Sequence, residues 1–156
     1  MSPLRVYAVD DKHLRISGLD PLLARCLYRV PEILDQRDRP EIRARLFPDP
    51  LPGEAETNAE WHRLMDADLE HLFLSAGEIV ARDLTGLQAD QLTVPAEHHR
   101  AWMSALNQAR LILGEQHGIT ESDLNRTDLD LHQARDRAVL EIHVLGLLLH
   151  RLVEVA

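Results

Sequence analysis

Two apolar stretches near the end of the chain decide the fold: residues 95–117, PAEHHRAWMSALNQARLILGEQH, and residues 128–155, DLDLHQARDRAVLEIHVLGLLLHRLVEV. In the first, apolar side chains recur at three- and four-residue spacing, which is typical of a helix with one buried face. Gly118 follows it in the position of a C′ glycine. In the second, apolar residues reach nearly all round a helical axis. The two stretches therefore predict a pair of core helices.

The upstream sequence adds a hairpin and further helices. Residues 1–18 hold two short apolar runs separated by polar residues, the pattern of a β-hairpin. Residues 20–47 predict a helix capped by Asp20, interrupted or ended at Pro31, and then a short helical segment. Residues 57–84 predict one long helix or two that meet near Met65. We therefore predict one mainly α domain over residues 1–156, a bundle of five to six helices with core helices at 57–84, 95–117 and 128–155.

Composition and charge limit the functional classes. The 156-residue chain is 45% hydrophobic and 28% charged, as in an ordinary globular domain. Its formal net charge of −9 argues against nucleic acid as a partner, because affinity for phosphate comes largely from Lys and Arg. The charge is uneven, since residues 1–45 carry nine basic and seven acidic side chains and the remainder carries eight and nineteen. The basic first part either docks on an acidic surface or is a solvated charge mixture.

The single cysteine and the apolar runs indicate a location. Cys26 has no second cysteine to pair with in the chain, so a reducing compartment is expected. The first residues, MSPLRVYAVDD, carry charges within their apolar run, unlike a signal peptide. The apolar run 139–155 contains charged residues and is shorter than the roughly 20 residues that span a bilayer. The sequence predicts a cytoplasmic protein without membrane association.

The terminal helix is the predicted contact surface. A helix that is apolar on most sides is either central to its own domain or lies in a subunit interface. Under the second alternative the protein forms a homodimer, or binds another protein, through Leu145, Leu148, Leu149, Leu152 and Val155. A narrow polar stripe runs along the same helix and includes His143, His150 and Glu154. We interpret this stripe as its solvent-exposed side.

Histidines and carboxylates provide weak metal-site candidates. Asp68 and His71 form an Asp-x-x-His pair, and His150 and Glu154 are one helical turn apart. Each pair needs ligands from elsewhere, and the sequence shows no matching second motif. No metal site is therefore assigned, although a metal-binding enzyme or sensor is kept as an alternative.

Catalytic signatures are absent from the sequence. It contains no Gly-rich phosphate loop, no dinucleotide-binding motif and no serine in a nucleophile-elbow context, and Cys26 lies on an apolar helical stripe. We predict no catalytic residue and no cofactor. A structural role is predicted for Trp61, Asp68, Trp102, Asn107, Arg110 and Gly118. Asp68 lies on the apolar face of its predicted helix, where a buried carboxylate would have to cap a helix or accept a hydrogen bond from Arg110.

Four segments together resemble an uncharacterised bacterial family, the domain of unknown function numbered two thousand and seventeen. They are GLDPLLARCL (18–27), RLFPDPLPGEAETNAEWHRLMDADL (45–69), AWMSALNQARLILGEQHGITESD (101–123) and LEIHVLGLLLHRLVEVA (140–156). The more specific blocks combine, in order, Arg45, residues 47–50, Trp102, Leu106, Asn107, Arg110, Leu113 and Gly118. The chain departs from the family pattern in a short region before RLFPD and in Met65, where a polar residue is expected. The second departure puts a helix cap there in doubt.

The resemblance implies a helical protein without an assigned activity. Genes of the family in actinobacteria often lie near that of the Clp protease adaptor, which implies a role in proteolysis or regulation, and some members are labelled transcriptional regulators. A transcriptional regulator that binds DNA would require a continuous basic face, which could be formed only by Arg37, Arg39, Arg43 and Arg45. We predict a non-enzymatic helical protein-interaction module.

Overall fold

The computed structural model describes residues 3–155; residues 1, 2 and 156, which belong to the predicted hairpin and domain ranges, lie outside it. The described chain forms six α-helices and three β-strands: β1 Arg5–Ala8, β2 His13–Ser17, α1 Pro21–Leu34, α2 Pro40–Leu46, α3 Ala55–Leu84, β3 Gln91–Pro95, α4 His99–Gln116, α5 Glu121–Leu124 and α6 Ala134–Glu154. The predicted mainly α bundle with an N-terminal hairpin is confirmed.

The sheet has one more strand than predicted. β1 and β2 form the expected antiparallel hairpin, and β3 pairs antiparallel with the other side of β2. Ile16 faces Leu92 across that pair, and both are buried. The predicted helix start at Pro95 was wrong, because Pro95 ends β3 and α4 begins at His99. Leu92 and Val94 alternate with exposed polar residues at the period of two that a half-buried strand requires.

Local signals set several of the helix ends. The Leu23 backbone N–H donates to Asp20 Oδ1 at 2.9 Å, and Pro21 occupies the first turn. Thr120 and Asp123 form a reciprocal capping box at α5. Gly118 has the positive φ of 60° expected for a C′ glycine. Pro31 does not end α1, which continues to Leu34.

The two longest helices differ from the sequence prediction in their bounds. α3 is continuous from Ala55 to Leu84, so the break expected near Met65 is not observed. α6 begins at Ala134 rather than near residue 128. The preceding loop is held by Arg126, which donates to both carboxylate oxygens of Asp136 at 3.0 and 3.2 Å. Such bidentate pairs hold a segment in one geometry without regular secondary structure.

Helix α4 is the centre of the bundle and packs against α1, α2, α3 and α6. Its inner face is almost completely buried, with Trp102, Ala105, Leu106, Ala109, Ile112 and Leu113 at 1% exposure or less. α6 buries one face and leaves Leu147 and Val153 exposed. No helix within residues 3–155 is long and apolar enough to cross a membrane.

Candidate functional site

The terminal helix uses most of its predicted contact residues inside the monomer. Leu145 and Leu152 are 0% exposed and Leu148 is 1% exposed, while Leu149 and Val155 are partly buried against the same core. A side chain without exposed surface in the monomer has none left for a partner. The structure therefore removes Leu145, Leu148 and Leu152 from the predicted subunit interface, which favours the alternative of a helix built into its own domain, whereas Leu149 and Val155 keep part of their surface.

The metal-site candidates do not converge. Asp68 and His71 are both exposed on α3. His150 Nε2 lies 2.8 Å from Glu154 Oε1 on the exposed side of α6. Within residues 3–155 no three His, Cys, Asp or Glu side chains are grouped closely enough to hold a metal ion. The expectation that Asp68 is buried, caps a helix or accepts from Arg110 was wrong, because α3 continues through it and its side chain faces solvent.

The structural residues of α4 have specific partners that the sequence did not show. Trp102 Nε1 donates to Asp83 Oδ2 at 2.9 Å, and His98 Nδ1 donates to the same oxygen at 2.8 Å. His99 Nε2 donates to the Leu152 carbonyl oxygen at 2.6 Å. His98 and His99, both partly buried, thus connect the start of α4 to α3 and α6. Asp83 was missed because nothing local marks it as an acceptor.

Arg110 also bonds to the terminal helix. Its Nε donates to the Ile142 carbonyl oxygen at 3.1 Å, and its guanidinium lies 3.1 Å from where a Cβ at position 146 would be. Gly146 therefore permits the close approach of the arginine to the helix backbone. Asn107 is exposed on the same side of α4. The structural role predicted for Arg110 thus has a physical basis in α4–α6 packing.

The first half of α3 carries an exposed apolar surface. Trp61 is 40% exposed, Leu64 58% and Leu72 61%, and Met65 is half-buried between them. These four residues are here called the α3 stripe. Leu64, Met65 and Leu72 follow Trp61 by three, four and eleven residues, so all four share one helix face. The structural role predicted for Trp61 in the core is corrected by its exposure. The signal available in the sequence was Asp68, a carboxylate on this same face.

The surroundings of the α3 stripe are acidic. Residues 55–75 contain five Asp or Glu and one Arg. Glu60 is paired with Arg63, and the exposed Glu56 lines a shallow depression beside Trp61 and Leu64. Asp68 is exposed on the stripe itself. An apolar surface with carboxylates at its edge selects for cationic groups in whatever covers it.

The α3 stripe is presented by a well-supported segment. Asn58 is buried and makes two hydrogen bonds to the backbone of Leu51. Asn58 Nδ2 donates to the Leu51 carbonyl oxygen at 2.7 Å, and the Leu51 N–H donates to Asn58 Oδ1 at 3.0 Å. His62 bridges Asp66 through Nδ1 at 2.9 Å and Asp49 through Nε2 at 2.8 Å. These contacts hold the loop before α3 against the helix, so the stripe is preorganised.

The His62 bridge predicts a pH-dependent stability. Hydrogen bonds to Asp66 and then to Asp49 raise the pKa of His62 above its ordinary value of about 6.5. A histidine whose pKa is raised in the folded state stabilises the fold at a pH below its unfolded-state pKa, and this stabilisation is lost as the pH rises through its folded-state pKa.

We expect NMR titration to place the His62 pKa above 6.5, and Asp49→Asn to lower it. Between pH 6 and 9, the free energy of unfolding measured in urea should fall less in His62→Gln than in the unsubstituted protein. A His62 that titrates at or below its ordinary pKa contradicts the bridge.

A second concave surface lies between α1 and α6. Arg29 Nη1 donates to Glu141 Oε1 at 2.9 Å, and the Glu141 side chain is 10% exposed. Burial raises the pKa of Glu141, opposed by the nearby Arg29. Cys26 lies in the same cleft, and burial, followed by the charge of Glu141, raises the pKa of its thiol to about 11. Such a thiol is protonated at neutral pH and is a poor nucleophile.

Comparison with known proteins gives one match. Residues 9–156 match the family described as Domain of unknown function (DUF2017). The chain belongs to this family. No curated protein and no solved structure matches it.

In this DUF2017 member, residues that carried the resemblance meet at one place. Arg45 on α2 and Asn107 and Arg110 on α4 line a cavity between these helices and α6. The other arginines of the postulated Arg face are engaged separately, since Arg43 Nη1 donates to Glu70 at 3.2 Å and Arg39 pairs with Glu41. Arg37 has no ion pair in residues 3–155 and lines a different cavity, beside Gly77 of α3, so the four arginines lie in separate surroundings. None of these contacts forms a continuous basic face.

Proposed function

We propose that the protein is a non-enzymatic interaction module that binds a basic, amphipathic helical segment of another protein through the α3 stripe. The observation that carries the proposal is the exposure of Trp61, Leu64 and Leu72 on one helix face. Exposed apolar residues grouped on one face, as Trp61, Leu64 and Met65 are, mark interaction sites, whereas exposed leucines scattered singly do not. Asp68 separates this group from Leu72. Trp is also the residue type most enriched among residues that dominate binding energy.

The shape and order of this surface support a helical partner. An amphipathic helix buries apolar residues at spacings of three, four and seven. The spacings from Trp61 to Leu64, Met65 and Leu72 provide the matching ridge over three helical turns. Because His62 and Asn58 already hold the segment in place, binding requires little ordering of this side of the interface.

The charge of the surface supports a basic partner over a second copy of this chain. Glu56 and Asp68 are placed to meet Lys or Arg, and a cation over Trp61 gains a further attraction to the ring face. Two α3 stripes brought together would oppose their own carboxylates. Dimerisation through this surface is therefore disfavoured, and the partner is another protein.

The proposed setting is the cytoplasm, supported by the single free cysteine. A module of this kind serves regulation or proteolysis by bringing two proteins together, the roles that the family resemblance implied. The acidic balance around α3 gives no support to transcriptional regulation by DNA binding.

The proposal is tested with two designed amphipathic helical peptides that share one leucine face and differ only in carrying Lys or Glu on the flanks. We expect the Lys peptide to bind and to shift the emission of Trp61 to the blue, since Trp102 is 0% exposed and cannot report on a surface ligand. Truncating Leu64 or Leu72 to Ala should weaken binding at least about tenfold.

The matched control is Leu147→Ala, which truncates an exposed leucine of α6. Equal binding of the Lys and Glu peptides, or an equal loss in Leu147→Ala and Leu72→Ala, contradicts the proposed surface. Sedimentation of the free protein provides a second readout. A dimer that Leu72→Ala dissociates would assign the stripe to self-association instead.

A further inference from the structure

We infer that the cleft between α1 and α6 is a binding site for a small amphipathic anion, a carboxylate or phosphate group on a short apolar chain. The cleft lies away from the α3 stripe, and the inference does not depend on the proposed protein partner. The cleft is lined by Cys26 and the buried carboxylate of Glu141, by apolar side chains and by basic side chains. The apolar residues are Leu22, Leu131 and Leu140, and the basic residues are Arg25, Arg29 and Arg137.

The polar groups of the cleft are not fully satisfied. Glu141 accepts from Arg29 through Oε1 only, and its Oε2 is buried with no hydrogen-bond partner in residues 3–155. Arg29 Nε is likewise buried without one. A buried donor or acceptor left without a partner is unfavourable and rare in native structures, so each one requires an explanation. Arg29 Nε therefore lacks an acceptor, which an anion can supply, whereas Glu141 Oε2 lacks a donor, which an anion does not supply.

The charge of the cleft is opposite to that of the whole chain. Three guanidinium groups, from Arg25, Arg29 and Arg137, surround a single carboxylate, in a chain of formal net charge −9. Arg137 Nη1 donates to the Leu131 carbonyl oxygen at 3.0 Å, which anchors that guanidinium at the cleft. Guanidinium groups bind carboxylate and phosphate through paired N–H donors. The cleft therefore selects an anion.

The apolar lining sets the other part of the ligand. Leu22 is 46% exposed and Leu131 50% exposed, and both flank the cleft with Leu140 between them and the helix core. The cavity measures about 230 Å³, smaller than the ~300–1,000 Å³ of sites for drug-sized ligands, so it suits a short chain. In the proposed complex this chain covers the leucines while its anionic end reaches the arginines.

Three eight-carbon probes distinguish charge from hydrophobicity: octanoate, octylammonium and octanol, each below its aggregation concentration and titrated by two-dimensional NMR. We expect octanoate to bind saturably, with shifts concentrated at Leu22, Leu131, Leu140 and Cys26, and the other two to bind at least tenfold more weakly. Octyl phosphate compared with octanoate then identifies the preferred anionic group. Saturable binding of either anion at these residues supports the site.

Variants assign the effect to the arginines. Arg25→Gln and Arg137→Gln should each weaken octanoate binding about tenfold, whereas Arg100→Gln, exposed at the other end of the bundle on α4, should leave it unchanged. Equal binding of the three probes, no loss in either cleft variant, or shifts at Trp61 and Leu72 instead would overturn the inference. Because Leu72→Ala changes only the α3 stripe and not the cleft, we expect that variant to bind octanoate as the unsubstituted protein does. Failure of the peptide experiment and failure of this one are thus separable.

Discussion

Trp102→Ala is expected to lower the free energy of unfolding by about 4 kcal/mol, the range seen when a large aromatic side chain is removed from a core. Trp102 is 0% exposed in the helix on which the rest of the bundle packs, so its removal leaves a cavity that neighbouring helices cannot all close. It also removes the donor to Asp83 Oδ2. Urea denaturation followed by far-ultraviolet circular dichroism measures the effect.

The matched control is the other tryptophan of the chain. Trp61 is 40% exposed, so Trp61→Ala is expected to cost about 1 kcal/mol or less while removing peptide binding. Asp83→Ala separates packing from hydrogen bonding, because it keeps the Trp102 ring but leaves its N–H without that acceptor, at an expected cost of about 1–3 kcal/mol. Equal destabilisation by the two tryptophan substitutions would contradict the assignment of α4 as the centre of the core.

Gly18→Ala is expected to cost about 3 kcal/mol or more. Gly18 has φ +76°, and an added Cβ would overlap the carbonyl oxygen of Pro3 and lie 2.5 Å from its carbonyl carbon and 2.9 Å from the Leu4 nitrogen. These are backbone atoms beside β1, whose pairing with β2 places Arg5 opposite Ser17. The overlap is relieved only by moving the first strand.

Gly118→Ala is the control for Gly18→Ala. Gly118 also has positive φ, at +60°, but an added Cβ there meets nothing within 4 Å. Its replacement should cost only the backbone strain, about 1 kcal/mol. The difference between the two unfolding free energies, measured in urea, isolates the steric overlap at the start of the sheet. If Gly18→Ala cost no more than Gly118→Ala, the close approach of Pro3 would be contradicted.

Much of the fold could be predicted because its signals are local. Asp20, Thr120 and Gly118 act within one turn of the helices that they begin or end, so their roles follow from residue type and spacing. The hairpin follows in the same way from alternation on both sides of a polar turn. β3 was missed because five residues, of which two are buried, give too short an alternation to distinguish a strand from a loop.

The sites were predicted less well because they depend on which face of a helix finds a partner. The apolar spacing of residues 57–84 correctly predicts a helix, yet the same spacing describes a buried face and an exposed one. Trp61 and Leu145 are alike in sequence context, both apolar on an apolar helix face. Only the packing of α4 buries Leu145 and leaves Trp61 in solvent.

The helical class, the hairpin, the helix caps and the acidic charge balance can be predicted without a structure, because each depends on composition or on residues within about one helical turn. Only the tertiary packing places α4 at the centre of the bundle, makes Leu145, Leu148 and Leu152 of α6 internal, and leaves the α3 stripe and the α1–α6 cleft facing solvent. The physical reason is that burial and ion pairing join residues far apart in the chain, as Arg29 and Glu141 are, and no local pattern encodes that distance.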